Sequence, residues 1–61
     1  MIDMMKIHEH ARALYHARGA KAQAEAAQKA RQLEETGAKA EADIWRAIQR
    51  SISEMRGAHQ A

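Results

Sequence analysis

Histidine and carboxylate side chains cluster near the N-terminus, where His8, Glu9 and His10 follow one another and His16 comes soon after. Imidazole and carboxylate groups bind metals and carry protons, so this cluster is the first candidate for chemistry. On a helix, however, His8 and His10 point about 200° apart, and His16 lies more than about 10 Å from His8 along the axis. Arg12 occupies the i+4 position where a second zinc ligand would stand. We therefore expect surface histidines and no metal site.

Groups suited to catalysis are scarce elsewhere in the chain. There is no cysteine, and Ser51 and Ser53 lie within a predicted helix, near no histidine that the sequence would place beside them. Paired carboxylates occur around one predicted turn, at Glu34, Glu35, Glu41 and Asp43. A chain this short is not expected to build a pocket that would desolvate them and shift their pKa values. We therefore predict that the protein is not an enzyme, and that it has no cofactor and no small-molecule substrate.

The composition indicates a single small helical domain. The chain has 61 residues, no proline, three glycines and a net charge of +2, and more than half of its apolar residues are alanine. Few β-branched residues and abundant Ala, Lys, Arg, Glu and Gln favour an all-α fold. Basic and acidic residues alternate without runs, which argues against a strongly charged partner. The sequence predicts neither a membrane span nor a secretory signal, so we expect a cytoplasmic protein that does not bind membranes.

Hydrophobic periodicity predicts the first and third helices. Over residues 2–17, Asp3 is the expected N-cap, and a 3-4-3 spacing places Met4 and Ile7 on a core-facing stripe with Ala11 and Leu14. Over residues 38–56, the same spacing gives a second stripe, made of Trp45, Ile48, Ile52 and Met55. Gly57 is the expected left-handed cap of the third helix, and residues 58–61 are an expected frayed tail.

The middle segment, residues 20–35, carries an apolar face made almost entirely of alanine. One stripe consists of Ala22, Ala26, Ala30 and Leu33, and a second consists of Ala20, Ala24 and Ala27. Such a wide face suits a middle helix that is touched on both flanks, although alanine also fills helical positions that pack against nothing. We favour the packed arrangement.

Two similar heptapeptides, RGAKAQA at 18–24 and TGAKAEA at 36–42, place glycines where helices would meet. Glycine lets a chain turn without a Cβ penalty, so Gly19 and Gly37 predict tight turns and three antiparallel helices. The alternative is a two-helix hairpin with one long helix over residues 2–35, forming a coiled-coil oligomer, because a glycine within a helix costs only about 1 kcal/mol.

The glycine-to-alanine spacing, from Gly19 to Ala24 and from Gly37 to Ala42, resembles a tetratricopeptide repeat, and Tyr15 fits the same pattern. The resemblance covers roughly residues 11–48 and implies antiparallel helix pairs whose concave surface binds peptides of partner proteins. Gln28 stands where that family has an aromatic residue, and Thr36 stands near the place of its usual proline. The whole chain is also similar to short alphaproteobacterial proteins with an Ala-rich middle and a Trp-Arg pair in the last helix, which implies no activity.

These patterns predict a protein-protein interaction module that self-associates, as a homo-oligomer, or docks on a larger partner. The candidate interface residues are Ile2, Met5 and Trp45, since the N-terminal segment is more apolar than one seam requires and tryptophan is enriched at interface centres. The alternative is a small nucleic-acid-associated protein that uses Lys39, Arg46 and Arg50 of the last helix. Asp43 and Glu54 dilute the positive charge of that face, so a nucleic-acid partner is the less favoured expectation.

Overall fold

A computed structural model describes residues 3–57 of the chain. In this range the protein consists of three helices, α1 (Met4–Arg18), α2 (Lys21–Glu35) and α3 (Lys39–Gly57). The all-α three-helix prediction is confirmed, and the alternative of one long helix through Gly19 is wrong. The predicted tail at 58–61 lies outside the described residues.

Both predicted glycine turns are present and rest on left-handed backbone. Gly19 has φ 63° and ψ −137°, and Gly37 has φ 88°. At the end of α2, the Gly37 N–H donates to the Glu34 carbonyl and the Ala38 N–H donates to the Leu33 carbonyl, over 3.1 and 2.9 Å. This pair of bonds is the Schellman motif, which satisfies carbonyls that the helix end leaves free.

The start of α1 has the predicted N-cap, but the end of α3 does not have the predicted glycine cap. The Asp3 carboxylate accepts a hydrogen bond from the Met5 N–H at 3.0 Å, as expected of an N-cap. Gly57, predicted as a left-handed cap, is instead the last residue of α3 and does not have positive φ. A glycine can take either conformation, so composition alone does not decide where a helix stops.

The core is small and is built mainly from methyl groups. Its centre consists of Ile7, Ala11, Ala22, Ala26, Ile48 and Ile52, and larger side chains such as Leu14 and Trp45 pack partly buried around it. Ala30 and Ala42 are buried in the part of the α2–α3 hairpin nearest Gly37. Because alanine is short, α2 and α3 approach closely, and they contact each other more extensively than either contacts α1.

Two predictions about buried faces are wrong in detail. Met4, placed by its spacing on the core face of α1, is 59% exposed and lies in the first turn of α1, outside the core cluster. In the middle segment the alanines of the first stripe are buried, whereas Ala20 and Ala24 of the second are exposed and Ala27 is half-buried. A single neighbouring helix, α3, covers most of what α2 buries, so the second stripe has little to pack against.

Helix α1 contacts α3 from both of its flanks. His8 contacts Ser51 and His10 contacts Trp45, although these histidines lie on opposite flanks of α1. Met4 and His8 line one wall of a groove whose other wall is α3.

Candidate interaction surface

A groove runs between the start of α1 and the exposed side of α3. Met4 and His8 line it from α1, and α3 contributes Asp43, Arg46, Ala47, Arg50, Ser51 and Glu54. The wall from α1 is partly apolar and the wall from α3 is mostly charged. We refer to it as the α1–α3 groove.

Two consecutive methionines are exposed at the start of α1, and the first of them, Met4, lines this groove. Met4 is 59% and Met5 is 67% exposed, and they are the large hydrophobic residues that the described part of the chain leaves in solvent. Met5 is a predicted interface residue, and its exposure agrees with that role without testing it. Ile2, predicted beside it, lies outside the described residues. Unbranched methionine side chains adapt to varied contact surfaces, so this end of α1 can accommodate a partner.

The one buried polar side chain of the core closes the floor of the groove. Ser51 is 4% exposed, and its Oγ lies 2.6 Å from Nδ1 of His8. The prediction that no histidine lies near Ser51 is wrong, whereas His8 is an exposed residue, as predicted. The residues are 43 positions apart, so no local pattern signals the contact. Within residues 3–57 no buried side-chain donor or acceptor lacks a partner, which assigns this hydrogen bond a structural role.

Trp45, the third predicted interface residue, is half-buried against the core. Its ring meets the ring of His10 edge-on, with centroids 5.3 Å apart and planes inclined by 69°. This arrangement is a favourable aromatic geometry that adds to simple area burial. Trp45 therefore anchors α1 on α3, and only part of its surface remains for a partner.

The basic residues proposed for nucleic acid do not form one uncompensated patch. Arg46 Nη2 lies 2.6 Å from Glu34 Oε2 on α2, and Arg46 Nη1 lies 3.7 Å from Asp43 Oδ1. The hydrogen bond and charge of Arg46 lower the pKa of the Glu34 carboxyl below its ordinary value, and the same pair raises the pKa of Arg46. Lys39 and Arg50 form no ion pair with another described residue. Arg46, at the centre of the predicted nucleic-acid patch, is thus paired with two carboxylates.

The described part of the chain offers neither a metal-binding cluster nor a membrane-spanning helix. Between residues 3 and 57 no group of three or more histidine and acidic side chains is arranged to hold a metal ion. Over the same range, no helix combines the length and the apolar character needed to cross a membrane.

Comparison with known proteins gives no family assignment. No protein-family model, no curated protein and no solved structure matches this chain. The resemblance to tetratricopeptide repeats therefore remains a resemblance of turn sequences.

Proposed function

We propose that this chain is a cytoplasmic helical interaction module that associates with protein, either itself or a larger partner. Its contact surface comprises the exposed methionines at the start of α1 and the adjoining α1–α3 groove. The observation that carries this proposal is the exposure of two consecutive methionines, Met4, which lines the groove, and Met5, its neighbour in the sequence.

The small core supports the same proposal. Ile48 and Ile52 are the largest side chains that are fully buried, and most other buried positions are alanine. A domain near 60 residues buries a modest fraction of its surface and is marginal by itself. Binding to the folded state stabilises it by mass action, so association would supply stability that the core does not.

The resemblance to tetratricopeptide turns adds a weaker reason. Proteins of that family bind peptides of their partners between antiparallel helices, and this chain shares the glycine-turn spacing but not the full motif. The nucleic-acid alternative has no comparable support, because Arg46 is paired with Glu34 and Asp43.

The test is Met5→Glu, followed by sedimentation equilibrium over a wide concentration range with circular dichroism on the same samples. We expect weaker association with unchanged helicity, because a carboxylate at this exposed position opposes apolar contact without touching the core. Gln28→Glu adds the same charge at an exposed site on α2 and is the matched control.

If Met5→Glu associates as tightly as the Gln28→Glu control, this surface is not the interface. If the unmodified chain is monomeric and instead binds duplex DNA in a salt-sensitive way, the nucleic-acid alternative replaces the proposal.

A further inference from the structure

The exposed side of α3 carries a charge pattern that is complementary to a second copy of itself running in the opposite direction. Lys39, Asp43, Ala47, Arg50 and Glu54 follow a 4-4-3-4 spacing and lie within an arc of about 80° on the helix. The core side chains Trp45, Ile48 and Ile52 lie on the other side of α3. The four charged residues of this stripe are exposed, whereas Ala47 at its centre is partly buried against the core.

The pattern has one midpoint. Lys39 and Glu54 are opposite charges centred on the gap between Arg46 and Ala47, and Asp43 and Arg50 are opposite charges centred on the same gap. If two copies of α3 lie antiparallel with a twofold axis at that gap, Lys39 meets the second copy's Glu54. In the same register Asp43 meets the second copy's Arg50. A twofold contact makes each pair twice, so four ion pairs form in a single register.

The structure leaves this stripe available for such pairing. Lys39, Arg50 and Glu54 form no ion pair with any other residue in the range 3–57, although Lys39 and Asp43, and Arg50 and Glu54, stand four residues apart on the helix. Asp43 makes one long contact, 3.7 Å from Arg46. Most of these charged side chains are therefore not engaged in ion pairs within the described part of the chain.

The centre of the stripe is also suited to close approach. Ala47 has a small side chain beside the proposed axis, and the Arg46 guanidinium is drawn to Glu34 on α2, 2.6 Å away. Helix axes approach to about 8–10 Å when small residues stand at the contact. Met4, on the α1 wall of the groove, would then be covered by the second copy.

We propose that this protein forms an antiparallel twofold dimer through the exposed stripe of α3, with Lys39–Glu54 and Asp43–Arg50 pairs setting the register. The proposal rests on the proposed function and names a second copy of the chain as its partner. Charge pairs at an exposed contact contribute modest affinity but discriminate strongly against wrong registers, while Met4 and Ala47 supply the apolar contact.

The test uses two single variants, Glu54→Lys and Lys39→Glu, studied alone and mixed. Alone, each places like charges opposite one another twice, and we expect dimerisation about tenfold weaker than that of the unmodified chain. Mixed in equal amounts, they restore both opposite-charge pairs, so we expect a heterodimer within about threefold of the unmodified affinity. The dimerisation constants come from sedimentation equilibrium.

A second mixture controls for simple attraction between proteins of different net charge. Glu35→Lys and Lys29→Glu make the same charge changes at exposed positions of α2, away from the stripe. We expect these variants to dimerise like the unmodified chain, alone and mixed. The α3 register is overturned if Glu54→Lys dimerises normally, or if the first mixture gains no more than the control mixture.

The outcome separates this inference from the proposed function. If Met5→Glu weakens self-association while the α3 charge variants do not, the interaction surface stands and the antiparallel register is wrong. If the unmodified chain is monomeric at every concentration, the dimer is wrong, and the proposed function is left with a different protein as its partner.

Discussion

The α2–α3 hairpin and helix α1 are held in different ways. The hairpin is packed along its length through buried alanines, and polar contacts join its helices near both ends, Arg46 to Glu34 at one and Arg56 Nη1 to Gln23 Oε1 at the other. Helix α1 buries only Ile7 and Ala11 fully among its described residues. Its remaining hold on α3 consists of partly buried side chains and two histidine contacts.

The hairpin is stabilised mainly by close packing of its two helices, whereas the position of α1 depends on a few individual side chains. Alanine lets α2 and α3 approach closely, so many small contacts accumulate along their length. Helix α1 contacts the hairpin less extensively than α2 and α3 contact each other, so individual side chains matter more. We therefore expect α1 to open more readily than the hairpin, with less protected amide hydrogens in exchange experiments.

The largest expected effect comes from truncating the shared core. Ile52→Ala should lower the free energy of unfolding by about 2–5 kcal/mol, because Ile52 is fully buried and the cavity fills incompletely. The free energy of unfolding of a chain of this size is about 3–9 kcal/mol, so the substitution should remove a large part of the stability of the whole domain. Urea unfolding followed by circular dichroism measures the loss.

The corresponding isoleucine-to-alanine substitution in α1 tests whether α1 opens separately from the hairpin. Ile7→Ala should reduce amide protection first in α1, whereas Ile52→Ala should reduce it in all described helices. Equal loss of protection everywhere in both variants would show that α1 and the hairpin open as one unit.

The second effect concerns the turn that joins α1 to the hairpin. Gly19→Ala should cost about 1–3 kcal/mol, because φ 63° with ψ −137° is a conformation that side-chain-bearing residues rarely adopt. No atom crowds the position where the new Cβ would stand, so the cost is backbone strain alone. Thermal unfolding provides the measurement.

Gly57→Ala is the matched control for that turn. Gly57 is helical and its Cβ position is open, so alanine should be neutral or stabilise by up to about 1 kcal/mol. A loss at Gly57 as large as that at Gly19 would contradict the assigned backbone conformations.

The third effect isolates the polar contact between α1 and α3. A double-mutant cycle on His8→Ala and Ser51→Ala should give a coupling energy of about 0.5–1.5 kcal/mol, the usual net value of one hydrogen bond. Urea unfolding of the four proteins supplies the energies. His16→Ala, at an exposed position of α1, should show no coupling to Ser51→Ala. Additive effects of the His8 and Ser51 substitutions would mean that the contact contributes nothing.

The smallest effect is the pH dependence of the pair that joins α2 to α3. The pKa of Glu34 is lowered in the folded state by Arg46, so the ionised carboxylate is favoured by folding. The stabilisation is present above the ordinary carboxyl pKa of 4.5 and is lost as the pH falls through the lowered value. Urea unfolding of Glu34→Gln should therefore differ from the unmodified chain above pH 4.5 and converge with it in acid. Glu35→Gln removes the neighbouring carboxylate, which forms no ion pair with another described residue, and is the matched control.

Part of the candidate surface follows from the sequence. Met5 is identified as spare because it lies off the hydrophobic stripe of α1, and the stripe on α3 follows from periodicity. Met4 is wrongly assigned to the core, since periodicity gives the face of a helix but not where a neighbouring helix ends. The groove itself, and the commitment of Arg46 to Glu34, depend on how helices cross and are not encoded locally.

The helical segments of residues 3–57 and the turn at Gly37 follow from the sequence, which also favours a turn at Gly19 over one long helix across residues 2–35. Backbone propensity and glycine conformational freedom act within a few residues, so a local reading captures them. The sequence does not show that His8 reaches Ser51, that His10 meets Trp45, or that Ala20 and Ala24 are exposed while the alanines of the other stripe are buried. These outcomes depend on side-chain packing between helices, which no local pattern encodes.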